Sequence, residues 1–189
     1  MNFKRIVITG APGTGKTTII KALETSGFYC FHEFIRNMTL EAKNEQHPDS
    51  VLGNPIAFVS DSKQFNLQLL EGRRKQYDDG NKQEKAQVFY DRGMPDVLAY
   101  MDYFDQSYEA DFLNACKKHN YDSVFLLPPW EAIYVQDNER LETYIQATEI
   151  HEHLKNTYAS LGYVTNEVPF GSVAERLAFI KNHLDMSRE

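Results

Sequence analysis

The chain has 189 residues, a length that points to one domain, 1–189, with a core of its own. Hydrophobic residues make up 42% and charged residues 25%, the mixture of a globular chain that needs no disulfide staples. A formal net charge of −7 argues against nonspecific binding to nucleic acid or to an anionic membrane, since both select a basic face.

The opening MNFKRIVITG holds an apolar run of about four residues, too short for a signal-peptide core or a membrane span. No later stretch offers about 18 consecutive apolar residues, so a cytoplasmic protein without integral membrane contact is expected. Cys30 and Cys116 sit in the partly apolar stretches FYCF and LNAC and read as buried, reduced thiols without metal-ligand spacing. The six histidines form no H-E-x-x-H or similar array, so no zinc site is expected.

In chain order, Ile6 to Thr9 reads as a buried strand. A glycine-rich turn follows, then a helix with Ile19, Ile20 and Leu23 on one side, stopped by Gly27. Phe28 to Phe31 reads as a second strand. The stretch from Thr39 to Lys85 is polar and interrupted by Pro48, Gly53 and Pro55. It is expected to hold a helix from about Ser60 to Tyr77, with Phe65 and Leu69 in the core and Arg73 solvated. Asn81-Lys82-Gln83-Glu84 looks like a guanine-reading N-K-x-D, but it ends in Glu and precedes a strand, so it reads as a solvated turn. Ala86 to Tyr90, Ser123 to Leu127 and Tyr163 to Val168 complete a set of five strands. Leu141, Tyr144, Ile145, Thr148, Leu154, Tyr158 and Leu161 recur at helical spacing up to Gly162. A last helix opens at Ser172, with Glu175 three residues on as a capping box. Strands alternating with helices imply an α/β fold, a parallel sheet covered on both faces, with ligands at the carboxyl ends of the strands.

Gly10-Ala11-Pro12-Gly13-Thr14-Gly15-Lys16-Thr17 matches G-x-x-x-x-G-K-[ST] without a gap, after a strand and at the start of a helix. The glycines let the backbone wrap a phosphate with several N–H groups turned inward, and the helix that starts near Gly15 adds its positive dipole end. Lys16 places a charge near the β- and γ-phosphates, the Thr17 hydroxyl is the expected Mg²⁺ ligand, and Thr18 is a candidate for another phosphate. The motif predicts binding of a nucleoside triphosphate, with ATP and Mg²⁺ as the expected pair and GTP not excluded.

Phe89-Tyr90-Asp91-Arg92-Gly93 puts an acid at a strand end beside this loop. Asp91 is the candidate for holding Mg²⁺, directly or through water, and the planar fork of Arg92 suits an anionic or hydroxyl-rich acceptor. His32-Glu33-Phe34-Ile35-Arg36 supplies a second acid after the second strand. Glu33 is a candidate general base and Arg36 a candidate substrate contact, while His32 reads as structural. Both acids converge on one sheet edge, so the residues alone leave Glu33 and Asp91 open as the base.

GAPGTGKTT, HEFIRN, FYDRGMPDVLAY, VFLLPPWEAIYVQDNER and LGYVTNEVPFGSVAERLAFI together resemble a family of small P-loop ATPase/kinases of AAA type. That family is related to the ribosylnicotinamide kinase domain of NAD metabolism and, more distantly, to nucleoside and nucleotide kinases. The resemblance implies a three-layer P-loop NTPase fold with a central parallel five-stranded sheet. It also implies an acceptor-side helical insertion over about 39–85 and a lid over about 129–140. Arg140 in that lid would stabilise charge on the transferring phosphoryl group, and Pro169, Phe170, Gly171 and Ser172 would lie near the base. Glu33 would be the base and Asp91 the magnesium residue. The lid stretch has one obvious arginine, where kinase lids often carry several.

Two functions follow from these residues. The first is a small-molecule kinase that transfers the ATP γ-phosphate to a nucleoside-like acceptor, with Lys16, Glu33, Asp91, Arg92 and Arg140 as its chemistry. The second is a nucleotide-dependent switch, an ATPase or GTPase that moves its lid and acts through a partner. A mechanical AAA+ machine is not expected, because the chain has no room for the usual lid domain. Oligomeric state is open.

Overall fold

A computed structural model describes residues 3–33, 62–134 and 142–186. Among the described residues there are five strands, β1 (Lys4–Gly10), β2 (Tyr29–Phe31), β3 (Gln87–Asp91), β4 (Ser123–Leu127) and β5 (Thr165–Glu167). All are parallel, in the order β2-β3-β1-β4-β5. Alternation along each strand sorts the core into two layers. Ile6, Ile8, Phe89, Phe125 and Leu127 face one side with Ile19, Ile20 and Leu23 of α1 (Lys16–Thr25) and with Ile180 and Leu184 of the last helix. Val7, Val88, Tyr90, Val124 and Leu126 face the other. That side is covered by α2 (Ser62–Gly80), α3 (Pro95–Tyr103), α4 (Ala110–Lys118) and α5 (Tyr144–Ser160). The last helix is α6 (Val173–Met186). A parallel strand buried on both faces must be apolar at every position, which is why Ile6, Val7 and Ile8 all read as core.

The five expected strands and the expected helices that fall on described residues are present, most with shifted ends. β1 starts earlier than the apolar run, because ladder pairing of Lys4 with Gln87 extends it beyond the buried residues. β3 runs one residue further than expected and takes in Asp91, paired with Ile8. β5 is shorter, Thr165 to Glu167, the length over which it pairs with β4. The middle helix runs from Ser62 to Gly80, and Phe65 and Leu69 are buried as expected. Arg73 is not solvated: it is 3% exposed, because the helix turns it inward onto the carbonyl of Gly93 at 2.9 Å. The capping box expected at Ser172 and Glu175 is present. A second, Thr143 with Gln146, opens α5. Both cysteines are free and buried.

Candidate active site

β1 is the middle strand, and its chain leaves the sheet between neighbours that lead in opposite directions, toward β3 on one side and β4 on the other. At such a switch point the loops diverge and leave a crevice at the carboxyl ends. The Gly10–Thr17 loop fills that position. At Gly10 the backbone lies so close to β4 that a Cβ would come 2.5 Å from the Leu127 carbonyl oxygen. Gly13 holds φ 77, and a Cβ there would meet the Tyr134 ring at 2.9 Å. Helical bonding in α1 begins with the N–H groups of Thr18 and Ile19, both onto the Gly15 carbonyl. The preceding N–H groups of the first turn therefore lie outside the helix ladder, as an anion site requires.

Lys16 is 8% exposed and donates to the Ala11 carbonyl oxygen at 2.8 Å, folding back onto its own loop. Burial, reinforced by the Arg92 charge, pushes its pKa from 10.5 down to about 7, against the pull of Glu33, Asp91 and Asp96. A buried amine in this condition is set to regain its charge when an anion arrives. Thr17 is half-buried, Thr18 is exposed, and Asp91 closes β3 at 5% exposure.

Arg92 ties the strand ends together. Its Nε donates to Glu33 Oε1 at 2.6 Å, and its Nη1 reaches both Gly10 O and Asp96 Oδ1 at 3.2 Å. One guanidinium thus joins the loop after β2, the first residue of the glycine loop and the start of α3. Burial alone would raise the Glu33 carboxyl, but Arg92, then Lys16 and Arg73, outweigh it and draw its pKa from 4.5 to about 2. Arg92 holds φ 74, a left-handed conformation that costs a side-chain-bearing residue free energy and is found where surrounding structure fixes it. Its own N–H bonds to Ile8 O at 3.0 Å, and the next N–H, of Gly93, bonds to Asp96 Oδ2 at 3.0 Å.

Asp96 escaped the sequence reading. It is fully buried and accepts bonds from Thr9 Oγ1 at 2.5 Å, Tyr158 Oη at 2.6 Å, the Gly93 N–H and Arg92. The signal in the sequence was an acid in the first turn of a helix whose Pro95 marks the start, which is ordinarily a capping feature. Arg176 was missed as well. It lies in the first turn of α6, is 4% exposed, and donates from both Nη1 and Nη2 to the Thr14 carbonyl oxygen at 3.1 Å. That contact sets the first turn of α6 against the glycine loop. Pro169 and Gly171 precede it in the connection from β5, where Phe170 stacks on Trp130 with ring centroids 5.3 Å apart and planes 24° apart. A short 3-10 turn, Glu131–Ile133, follows Trp130. Tyr134 leaves it to cover Gly13 and to bond with the Glu142 carbonyl. Arg36 and Arg140 lie outside the described residues, as do the second half of the expected lid and the first part of the 39–85 segment.

A family model described as an AAA domain matches residues 5–176. The chain belongs to this AAA-domain family. No curated protein matches it. Among solved structures, this AAA-domain protein is similar to deoxyadenosine kinase from M. mycoides with TM-score 0.66 and 18% identity, over 96% of this chain and 99% of that one. It is similar to the NadR protein in complex with NR with TM-score 0.72 and 17% identity, over 96% of this chain and 51% of that one, about half of NadR. Thymidylate kinase from Ehrlichia chaffeensis follows at TM-score 0.63 and 12% identity, over 97% and 100%. At these identities the likeness is one of fold: the AAA-domain chain has the α/β architecture of P-loop nucleoside and nucleotide kinases. Among the described residues, no helix is long and apolar enough to cross a membrane.

Proposed function

We propose that this protein is a small-molecule kinase that transfers the γ-phosphate of Mg-ATP to a hydroxyl of a nucleoside-like metabolite. The observation that carries the reading is the 2.6 Å Arg92–Glu33 pair, anchored through Gly10 to the glycine loop. It puts an ionised carboxylate and a forked cation beside the place where the loop would hold a triphosphate. A switch that only binds and hydrolyses a nucleotide needs no acceptor contact there.

The residues present fit a magnesium polyphosphate: a loop that only glycines permit, a buried amine poised to charge, one hydroxyl at Thr17 and one carboxylate at Asp91. Thr17 and Asp91 would hold a magnesium ion, which would offset charge on the phosphates. Lys16 would leave the Ala11 carbonyl for the β- and γ-phosphates and regain its proton there. Glu33 would accept the hydrogen bond of the acceptor hydroxyl and orient its oxygen for in-line attack. At a pKa of about 2 it is a weak base, which suits a loose transition state in which positioning outweighs early proton removal. Arg92 would hold the acceptor and keep Glu33 in place. Asp91 is better suited to the metal than to the proton, because it closes β3, the strand beside the glycine loop's own strand. In the same reading the chain is one domain, the 129–140 stretch is the lid, and Arg140 offsets charge on the moving phosphoryl group. The Pro169–Ser172 connection lies near the base. The neighbours in complex with NR and with deoxynucleotide products support a nucleoside-like acceptor.

The test is phosphorus NMR of the protein with Mg-ATP and, in turn, nicotinamide riboside, the common nucleosides, their monophosphates or no acceptor, with Lys16→Ala as control. A phosphorylated product from one acceptor class, absent in the control, establishes the kinase. Slow phosphate release that ignores every acceptor refutes it in favour of a nucleotide switch.

A further inference from the structure

Among the described residues, no acid neutralises the charge of Arg176. The residue is 4% exposed, and among the described residues its guanidinium forms no ion pair. Its Nε is buried and makes no hydrogen bond. The acid next to it in sequence, Glu175, is turned away to the Ser172 N–H at 2.8 Å and the Ser172 hydroxyl at 2.7 Å. Burial lowers the Arg176 pKa with no opposing carboxylate. A buried cation left unpaired costs stability, and the fold retains one only where something else is gained.

Its position shows what is gained. Both terminal nitrogens donate to one oxygen, the Thr14 carbonyl, and Nη1 lies 3.0 Å from where a Gly15 Cβ would be. The Thr14–Gly15 peptide is trans, so its N–H points opposite to its carbonyl. A cation fixed on the oxygen side holds the peptide plane and polarises the N–H on the other side, one residue before Lys16. Two donors converging on one oxygen also fix the orientation in a way that one point charge cannot.

We propose that Arg176 is a phosphate-binding residue acting through the backbone: it aims and polarises the Gly15 N–H, and its charge is balanced by the polyphosphate of a bound nucleotide. The inference rests on the glycine loop holding a nucleoside triphosphate, and on nothing about the acceptor. It makes α6 part of the nucleotide site, although the helix begins well over a hundred residues after the loop.

Titration calorimetry with Mg-ATP and with adenosine, together with thermal unfolding of the nucleotide-free protein, separates this role from a structural one. Wild type, Arg176→Met, Arg176→Lys and Lys16→Ala are compared. The Met variant is expected to unfold at the wild-type temperature or higher without nucleotide, because it removes an unpaired charge. It is expected to bind Mg-ATP about 10- to 100-fold more weakly, the scale of losing a charge-assisted bond, and adenosine unchanged. The Lys variant keeps the charge and loses the paired geometry, and a smaller loss of about threefold to tenfold is expected. Wild-type Mg-ATP affinity in both variants overturns the role of Arg176, as does an equal loss for adenosine and Mg-ATP. Should the Met variant not fold, unchanged affinity in the Lys variant alone overturns it. A wild-type protein that binds neither Mg-ATP nor Mg-GTP refutes the nucleotide reading itself, a result distinct from any of these.

Discussion

Nucleotide binding should draw a proton onto Lys16. The nucleotide-free amine has its pKa pushed to about 7, against an ordinary value of 10.5. At about 1.4 kcal/mol per unit, the displacement corresponds to about 5 kcal/mol held against the charged form. A phosphate beside Nζ supplies the missing counter-charge and restores the protonated state. At pH 8 roughly a tenth of the free sites carry the proton, so binding takes up close to one proton per site, about 0.9; at pH 6 the uptake falls to about 0.1. Calorimetry with magnesium-saturated ATP in buffers of differing ionisation enthalpy reads this number directly. Lys16→Arg is the control, since a guanidinium does not titrate there. An uptake that stays near zero from pH 6 to pH 8.5 would falsify the depressed amine. The same shift sets a stability slope in the free protein. Between about pH 7 and about pH 10.5 the unfolded chain binds the extra proton, so this group makes stability rise with pH through that window. Its penalty is complete below pH 7 and absent above 10.5.

Glu33 works in the opposite sense. Its pKa is drawn down from 4.5 to about 2, so it contributes stability above pH 4.5 that is lost as pH falls toward 2. Urea unfolding of Glu33→Gln at pH 7 should show a loss of up to about 3 kcal/mol, with a flatter acid limb; a variant as acid-sensitive as wild type would argue against the pairing with Arg92. Asp96→Ala removes the shared acceptor of Thr9, Gly93, Tyr158 and Arg92, and a cost of about 3–5 kcal/mol is expected in the same assay. A change below about 1 kcal/mol would show that the hub is not needed. Asp91→Asn should reduce magnesium-dependent turnover far more than it weakens nucleotide binding, and unchanged turnover would remove Asp91 from the metal site.

Much of this fold was legible in the sequence because its signals are local. A strand buried on both faces has to be apolar at consecutive positions, so Ile6 to Ile8 and Val124 to Leu127 were visible at once. The glycine loop was visible because its geometry forbids a Cβ at Gly10 and because its lysine and threonine follow at fixed spacing. Strand ends shifted by a residue or more, since the ends are set by pairing with neighbours; Asp91 joins β3 through Ile8.

By itself, then, the sequence determined the class of fold, the place of the glycine loop and the acids gathered at the sheet edge. Which charges meet was decided by the tertiary structure alone. Glu33 and Arg92 are 59 positions apart, and Arg176 lies 162 positions from Thr14. Arg73 reads as a surface residue on a polar helix until that helix turns it onto Gly93. Asp96 reads as a helix-start acid until four partners close around it. Spacing along a chain reports the period of one element, whereas charge compensation acts through space between elements, and no local pattern encodes it.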